Sequence, residues 1–267
     1  MTPNKIALAL ALFAFALPMG ALAQDAAEPA EAPEAAEEAA QDEAPAAEAE
    51  ATEEESSSNL TWTLAATSDY VFRGITQSNY DPAVQGSLDY AFGDTGLYAG
   101  VWASNVDFAD ADGPDIEVDY YLGWNHDLSE VLNLDLSVVR YSYLGEQDAY
   151  GNIDYNEFIG ALAYDEMLTF TVAYASDYAN EGFSSLYYNL AGSWEAGEAF
   201  EFHAGIGRTN YSDDVGSYND WNVGVSRQFG PVNVALDYFD VSGGVIDDLF
   251  GDEKASDRVV LTLSLGN

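Results

Sequence analysis

Residues 68–86 read Ser-Asp-Tyr-Val-Phe-Arg-Gly-Ile-Thr-Gln-Ser-Asn-Tyr-Asp-Pro-Ala-Val-Gln-Gly. This stretch joins two runs of strict alternation. Before it, Leu60, Trp62, Leu64 and Ala66 alternate with Thr61, Thr63, Ala65 and Thr67. After it, Val84, Gly86, Leu88, Tyr90 and Phe92 alternate with Gln85, Ser87, Asp89 and Ala91. A period of two makes a strand with two unlike faces. One face here is large and apolar, and the other is small, polar and acidic. The joining stretch reads as the end of one strand through Arg73, a polar loop over residues 74–81, and the start of the next strand.

The same alternation recurs over residues 116–125, 132–138, 170–174, 186–194, 200–207, 221–226, 232–238 and 259–265. Residues 96–108 and 155–164 carry large side chains on both phases, with Phe158, Leu162 and Tyr164 expected outward. The pattern predicts about twelve strands of roughly ten residues, the length a tilted strand needs to cross a bilayer. The links alternate in length. Residues 93–96, 126–130, 165–167, 195–199 and 230–231 are short links; residues 74–81, 109–115, 145–152, 175–183, 211–219 and 242–256 are long ones. Tight turns on one side and long polar loops on the other are the rhythm of an outer-membrane barrel. A lipocalin-like barrel puts its apolar residues inside, and so many bulky residues would overfill one interior.

The expected fold class is therefore all-β: a closed up-and-down antiparallel transmembrane β-barrel over residues 59–267. Tyr70, Phe72, Tyr90, Phe92, Trp124, Trp194, Phe200, Trp221, Phe229 and Tyr238 fall near predicted strand ends, as interfacial girdles would.

Two segments precede the barrel. Residues 1–23 read as a secretory signal peptide: Lys5, a short apolar core, and Ala21-Leu22-Ala23 before Gln24. The apolar run is too short for a spanning helix. Residues 24–58 are almost wholly Ala, Glu, Pro, Asp and Ser, a composition that cannot bury enough apolar surface to order itself. They are expected to form a disordered acidic tail in the periplasm.

The formal net charge of -40 argues against nucleic acid as a partner, because phosphate backbones are held by Lys and Arg. The absence of cysteine excludes disulfides and thiolate metal sites.

Several motifs carry a resemblance. Ser-Asp-Tyr-Val-Phe-Arg-Gly at 68–74 and Pro-Ala-Val-Gln-Gly at 82–86 resemble the opening signature of the TorF-like porin family, a proteobacterial family of outer-membrane barrels. Gly-Leu-Tyr-Ala-Gly-Val-Trp-Ala-Ser-Asn at 96–105, Tyr-Ser-Tyr-Leu-Gly at 141–145, Asn-Glu-Phe at 156–158, His-Ala-Gly at 203–205 and Asp-Trp-Asn-Val-Gly-Val-Ser at 220–226 fit it too. The resemblance runs from residue 59 to the end of the chain and implies a porin in a Gram-negative outer membrane.

The inward phase supplies the candidate pore-lining residues: Asp69, Arg73, Asp89, Glu117, Asp119, Asp135, Glu157, Glu201, His203, Asp237 and Arg258. Carboxylate rings attract cations and repel anions. The expected function is passive diffusion of small hydrophilic solutes, with weak cation selectivity. The alternatives are a barrel enzyme acting on lipid or peptide, and a plugged structural or adhesive barrel, for which inward Tyr121 and Tyr187 are the natural fillers. His203 would be the base of an enzyme, but no serine motif or second histidine accompanies it, so no catalytic residue is assigned. His203 with Glu201 falls short of a metal ligand set. His126 reads as a polar turn residue, and no cofactor is expected. Expected partners are outer-membrane lipid and lipopolysaccharide, the latter through outward Arg140 and Arg208. Arg73 and Arg258, on the first and last strands, are expected to meet at the barrel seam with Asp69 and Asp89 between them.

Overall fold

The computed structural model describes residues 59–109, 113–145, 151–197, 199–243, 245 and 256–267. The expected signal peptide and acidic tail lie outside the described residues.

The strands are β1 (Leu60–Thr67), β2 (Val71–Phe72), β3 (Ile75–Thr76), β4 (Ala83–Ala91), β5 (Leu97–Asn105), β6 (Pro114–Asp127) and β7 (Leu132–Gly145). They continue as β8 (Tyr155–Tyr164), β9 (Leu168–Ala175), β10 (Ser185–Ala196), β11 (Phe200–Tyr211), β12 (Gly216–Phe229), β13 (Val232–Ser242) and β14 (Arg258–Gly266). All but β2 and β3 form one closed antiparallel barrel of twelve strands. Each barrel strand pairs with its chain neighbour, and β1 pairs with both β4 and β14.

The register follows from the alternation. Across β1 and β4, Thr61 faces Asp89 and Thr63 faces Ser87, while Trp62 faces Leu88. A slip of one residue would turn every apolar side chain into the lumen, so the pattern admits one register. Outward, Leu64, Val84, Leu88, Leu122, Phe158, Ile206, Val223 and Leu261 are exposed. An apolar surface carried right round a closed barrel is the exterior of a transmembrane barrel, in which every backbone group pairs within the wall. Tyr90, Phe92, Trp194, Phe200 and Phe229 are exposed at the short-turn end, and Arg227 lies over the Phe200 and Phe229 rings.

The connection after β1 departs from expectation. The first strand stops at Thr67 instead of running to Arg73, and residues 74–81 are not an outer loop. β2 and β3 pair with each other through a two-residue turn, Arg73-Gly74, with φ of 49° and 81°. Two positive φ values in succession are the turn geometry that matches the twist of a hairpin. This hairpin folds into the barrel. Tyr70, Ser78, Thr76 and Ile75 are buried at 0, 0, 1 and 2% exposure. Tyr70 and Phe72 are therefore lumen residues and not part of the girdle. Tyr70 packs edge-on to Trp102 of β5, and Phe72 to Tyr141 of β7. Ile75 packs with Tyr211, Tyr218 and Val245 on the other side.

The two halves of the wall differ in side-chain volume. Inward positions on β5 to β8 hold Tyr98, Trp102, Tyr121, Val139, Tyr141, Tyr143 and Tyr155, which join Tyr70 in one buried cluster. Burying a side chain of this size contributes about 1.5–3 kcal/mol. These inward rings explain why residues 96–108 and 155–164 carry large residues on both phases. Inward positions on β9 to β13 include many small residues, among them Thr171, Ala173, Asn189, Ala191, Gly205, Gly207 and Ala235, with Tyr187, Tyr211 and Tyr218 as large exceptions.

A closed barrel should keep its form in SDS until heated. The folded protein in detergent should migrate differently on a gel before and after boiling. Identical migration, or recovery with the soluble periplasmic fraction, would contradict the architecture.

Candidate functional site

A cavity of about 200 Å³ lies inside the barrel. A single water needs only about 10–15 Å³ on this measure, so the space holds several waters or a small solute. Arg73 and Gly74 of the hairpin bound it on one side, and Asp69, Tyr141, Tyr187, Asn189, Asp220, Asn222 and Asp237 line it from the wall. The small inward residues of β9 to β13 leave this space open.

Of the candidate pore-lining residues, all but Asp69 and Arg73 sit at inward positions of barrel strands; Asp69 follows β1 and Arg73 is at the tip of the folded-in hairpin. Asp69, Asp89, Glu117, Asp119, Asp135, Glu157, His203, Asp237 and Arg258 are buried, and Glu201 is half-buried. Most of their carboxylates are held by neighbours. Four pairs span an intervening strand in the same manner. The Tyr98 hydroxyl on β5 donates to Asp135 Oδ1 on β7 at 2.8 Å, passing over Gly123 of β6. The Tyr187 hydroxyl on β10 donates to Asp220 Oδ1 on β12 at 3.2 Å, passing over Gly207 of β11. Tyr121 on β6 reaches Asp89 on β4 over Gly100, and His203 on β11 meets Asp237 on β13 over Gly224. In each case a Cβ on the glycine would collide with the bridging side chains. The glycine is required because the bridge occupies the space its side chain would take. A hydrogen bond to a charged group contributes about 1.5–3 kcal/mol. These bridges make much of the acidic face part of the wall's own structure.

Asp119 belongs to no such bridge, and its Oδ1 is buried without a partner among the described residues. His203 Nδ1 likewise lacks one among the described residues, so the pair with Asp237 is joined there to no hydroxyl that could act as a nucleophile.

The arginines divide in a way that corrects the expected seam cluster. Arg258 does meet Asp69 at the seam, at 3.3 Å. Asp69 also accepts from Thr76 Oγ1 at 2.5 Å and Ser78 Oγ at 3.0 Å, which fastens the base of the hairpin. Arg73 is elsewhere. It sits at the hairpin tip and donates to both oxygens of Glu157 on β8, at 3.0 and 2.7 Å. It also lies over the Phe72 and Tyr187 rings. In the ring of strands, β8 is nearly opposite β1, so the hairpin carries Arg73 across the lumen. Asp89 takes no part, being bridged to Tyr121. On the back of the tip, a Cβ at Gly74 would overlap Val241 and come within 2.9 Å of Asp220 Cβ.

Arg140 and Arg208 face outward, as their phase predicts, but both have protein partners. Arg140 pairs with Asp154 at 3.0 Å. Arg208 donates to Asn210, Ser217 and Asn219. Near the hairpin, Tyr178 packs at a tilt between Tyr155 and Tyr211, and burial, opposed in part by the Arg73 charge, pushes its hydroxyl up to about 12.

Sequence reasoning missed Asp220. It opened the strand at Trp221 and assigned 211–219 to a loop, whereas β12 begins at Gly216. An outward Trp221 puts Asp220 inward, and that signal was available.

These features define the class: a transmembrane barrel with a folded-in hairpin, a polar wall and a small internal cavity. Residues 50–260 match the model of a family described as a bacterial protein of unknown function (Gcw_chp), and the chain belongs to that family. No curated protein matches. Among solved structures, the chain is similar to one from work on the in-meso crystallisation of membrane proteins. The TM-score is 0.47 at 10% identity, over 78% of this chain and 83% of that one. It is also similar to Acinetobacter baumannii OccAB3, with a TM-score of 0.41 at 11% identity over 78% of this chain and 65% of that one. For the outer membrane protein OprD from Pseudomonas aeruginosa the TM-score is 0.35 at 14% identity, over 78% and 64%. The chain spans slightly less than two thirds of the length of the latter two.

Alanine at Gly100, Gly123, Gly207 or Gly224 should each destabilise the barrel by about 1–3 kcal/mol through overpacking. Gly160→Ala, where the nearest atom is Leu136 Cδ2 at 3.4 Å, should be close to neutral. Urea unfolding in lipid vesicles measures both. Equal effects at all five positions would contradict the bridge geometry.

Proposed function

We propose that this chain is an outer-membrane channel for passive diffusion of small hydrophilic solutes, weakly cation-selective and narrowed by its own hairpin. The observation that carries this reading is a polar, acid-lined cavity inside a barrel with an apolar exterior. The resemblance to the TorF-like porin family supports it, as do short turns at one barrel end and long connections at the other. In this reading residues 1–23 direct export, residues 24–58 lie in the periplasm, and the short-turn end faces that compartment. Arg140 and Arg208 lie at the level of the outer headgroups, where lipopolysaccharide phosphates compete with their protein partners for guanidinium donors.

Selectivity would come from few groups. Asp69 is paired to Arg258 and Glu157 to Arg73, so the wall's formal acidity overstates the field a solute meets. That is why the proposed preference is weak. The hairpin sets the bore. Its Arg73–Glu157 pair is buried, with side-chain exposures of 8 and 0%. Removing one member of such a pair costs about 3–5 kcal/mol because the other charge is stranded.

One specific observation favours a second reading, the plugged structural barrel: the hairpin and its aromatic neighbours fill much of the lumen beside the cavity. Planar-bilayer recording separates the two. The channel reading predicts small ohmic steps with a reversal potential displaced toward that of the cation. Arg73→Ala should raise the conductance, by loosening the hairpin, and increase the cation preference. A silent wild type that conducts only after this substitution would favour the plugged barrel. Anion selectivity would overturn the proposed role of the acidic wall.

A further inference from the structure

The charges that line the cavity do not balance one another. Arg73 is bound by Glu157, Asp69 by Arg258, and Asp237 by His203. Asp220 makes no ion pair among the described residues; the nearby Arg73 guanidinium, which lies over the Tyr187 ring, acts on it from a distance while being bound by Glu157. Its exposure is 7%; Oδ1 accepts from Tyr187, while Oδ2 is buried and has no hydrogen-bond partner among the described residues. A buried carboxylate oxygen without a donor costs free energy that a ligand donor would recover.

The strand beside Asp220 is bare of side chains at Gly205 and Gly207, and Asp220, Tyr187 and Asn222 lie over it at the border of the cavity. Asn222 is two residues on along β12 and so shares the inward face, roughly 6.6 Å away along the strand. Its amide makes no hydrogen bond among the described residues, and both side chains line the cavity. The neighbouring strand presents Gly207 and Gly205 opposite them, with no side chain in the way. Tyr187 and Asn189 complete the surround from β10, and Asn189 Nδ2 donates to the Tyr187 hydroxyl at 3.1 Å. The tyrosine hydroxyl is thereby oriented toward Asp220. Apolar side chains also line the cavity, among them Val71, Phe72, Ile159, Ala173, Ala235 and Val260, alongside Asp69, Arg73 and Asp237.

We propose that Asp220, Asn222 and Tyr187 form a binding site for small primary-ammonium solutes. An ammonium group has three donors and a single charge. It satisfies the Asp220 oxygen and the Asn222 carbonyl, and the apolar lining accepts a short alkyl body. A hard metal ion fits less well. It would need several oxygen ligands at once, and no group of three or more carboxylate or histidine side chains able to hold one occurs among the described residues. This inference deepens the channel reading, on which it rests, by naming the solute class that would pause in the lumen.

Saturation-transfer NMR on the full, folded chain in detergent tests it, with n-butylammonium as the probe and n-butanol and butyrate as neutral and anionic isosteres. The expected result is binding of n-butylammonium, with apparent dissociation constants at least tenfold higher for the two isosteres. Asp220→Asn, which keeps the shape and removes the charge, should raise the n-butylammonium constant at least tenfold. Asn222→Leu should weaken it as well while leaving the carboxylate in place, and it decides the matter if Asp220→Asn does not fold. No n-butylammonium binding to the wild type, equal binding by Asp220→Asn, or equal binding of n-butanol would each overturn the site. Bilayer recording on the same preparation separates the two proposals. A wild type that conducts but does not bind the probe overturns this site and leaves the channel. A wild type that binds but does not conduct overturns the channel and leaves the site.

Discussion

The ion pair between Arg73 and Glu157 is the brace on which the lumen depends. Arg73 holds a positive φ, a conformation that costs a residue with a Cβ about 1 kcal/mol or more. A bidentate guanidinium–carboxylate contact in a buried site is strong enough to hold it there, and its fork geometry sets the direction of the tip. The contact places Phe72 on Tyr141 and draws Gly74 onto β12 and β13. Without the brace, a short two-stranded ribbon has little of its own to keep it folded.

The remainder of the interior is arranged around that hairpin. A twelve-stranded wall encloses more space than its own side chains need to fill, so occupancy is decided strand by strand. Inward aromatic rings on β5 to β8 close one half, and the hairpin rests on them. Small residues on β9 to β13 keep the other half open, and the cavity lies there. The carboxylates that would otherwise be stranded in so narrow a space are reached sideways by tyrosine and histidine across bare glycine positions. The acidic composition thus serves the wall first, and the solute path meets only the carboxylates that border the cavity.

The barrel was legible because its signal is global. A period of two, held over strand after strand, has one reading when the apolar face is too large for any interior, and the alternating link lengths orient it. The carboxylates of the lumen were legible for the same reason, since phase alone places Asp89, Glu117 and Glu157 inward. What was not legible depends on contacts between distant segments. Residues 68–72 continue the β1 alternation, so nothing local says that the strand stops at Thr67. The Arg-Gly pair at 73–74 is a short hairpin signal, but only Glu157, distant in sequence, makes an inward hairpin favourable. The glycines at 100, 123, 207 and 224 read as small inward residues. Their purpose shows only when strands two apart are placed side by side. Asp220 fell at an assumed loop edge, where a boundary error of a few residues removed it from the inward set.

The inward position of the hairpin is the central claim, and amide hydrogen exchange on the folded barrel in lipid tests it most directly. In the structure the Gln77 amide donates to Tyr70 O, the Tyr70 amide to Ser78 Oγ and the Asp107 amide to Gln77 O. A peptide covering residues 69–81 should therefore exchange as slowly as the barrel strands and far more slowly than the exposed turn at residues 212–216. Exchange of residues 69–81 as fast as that turn would place the segment outside the barrel and contradict the account.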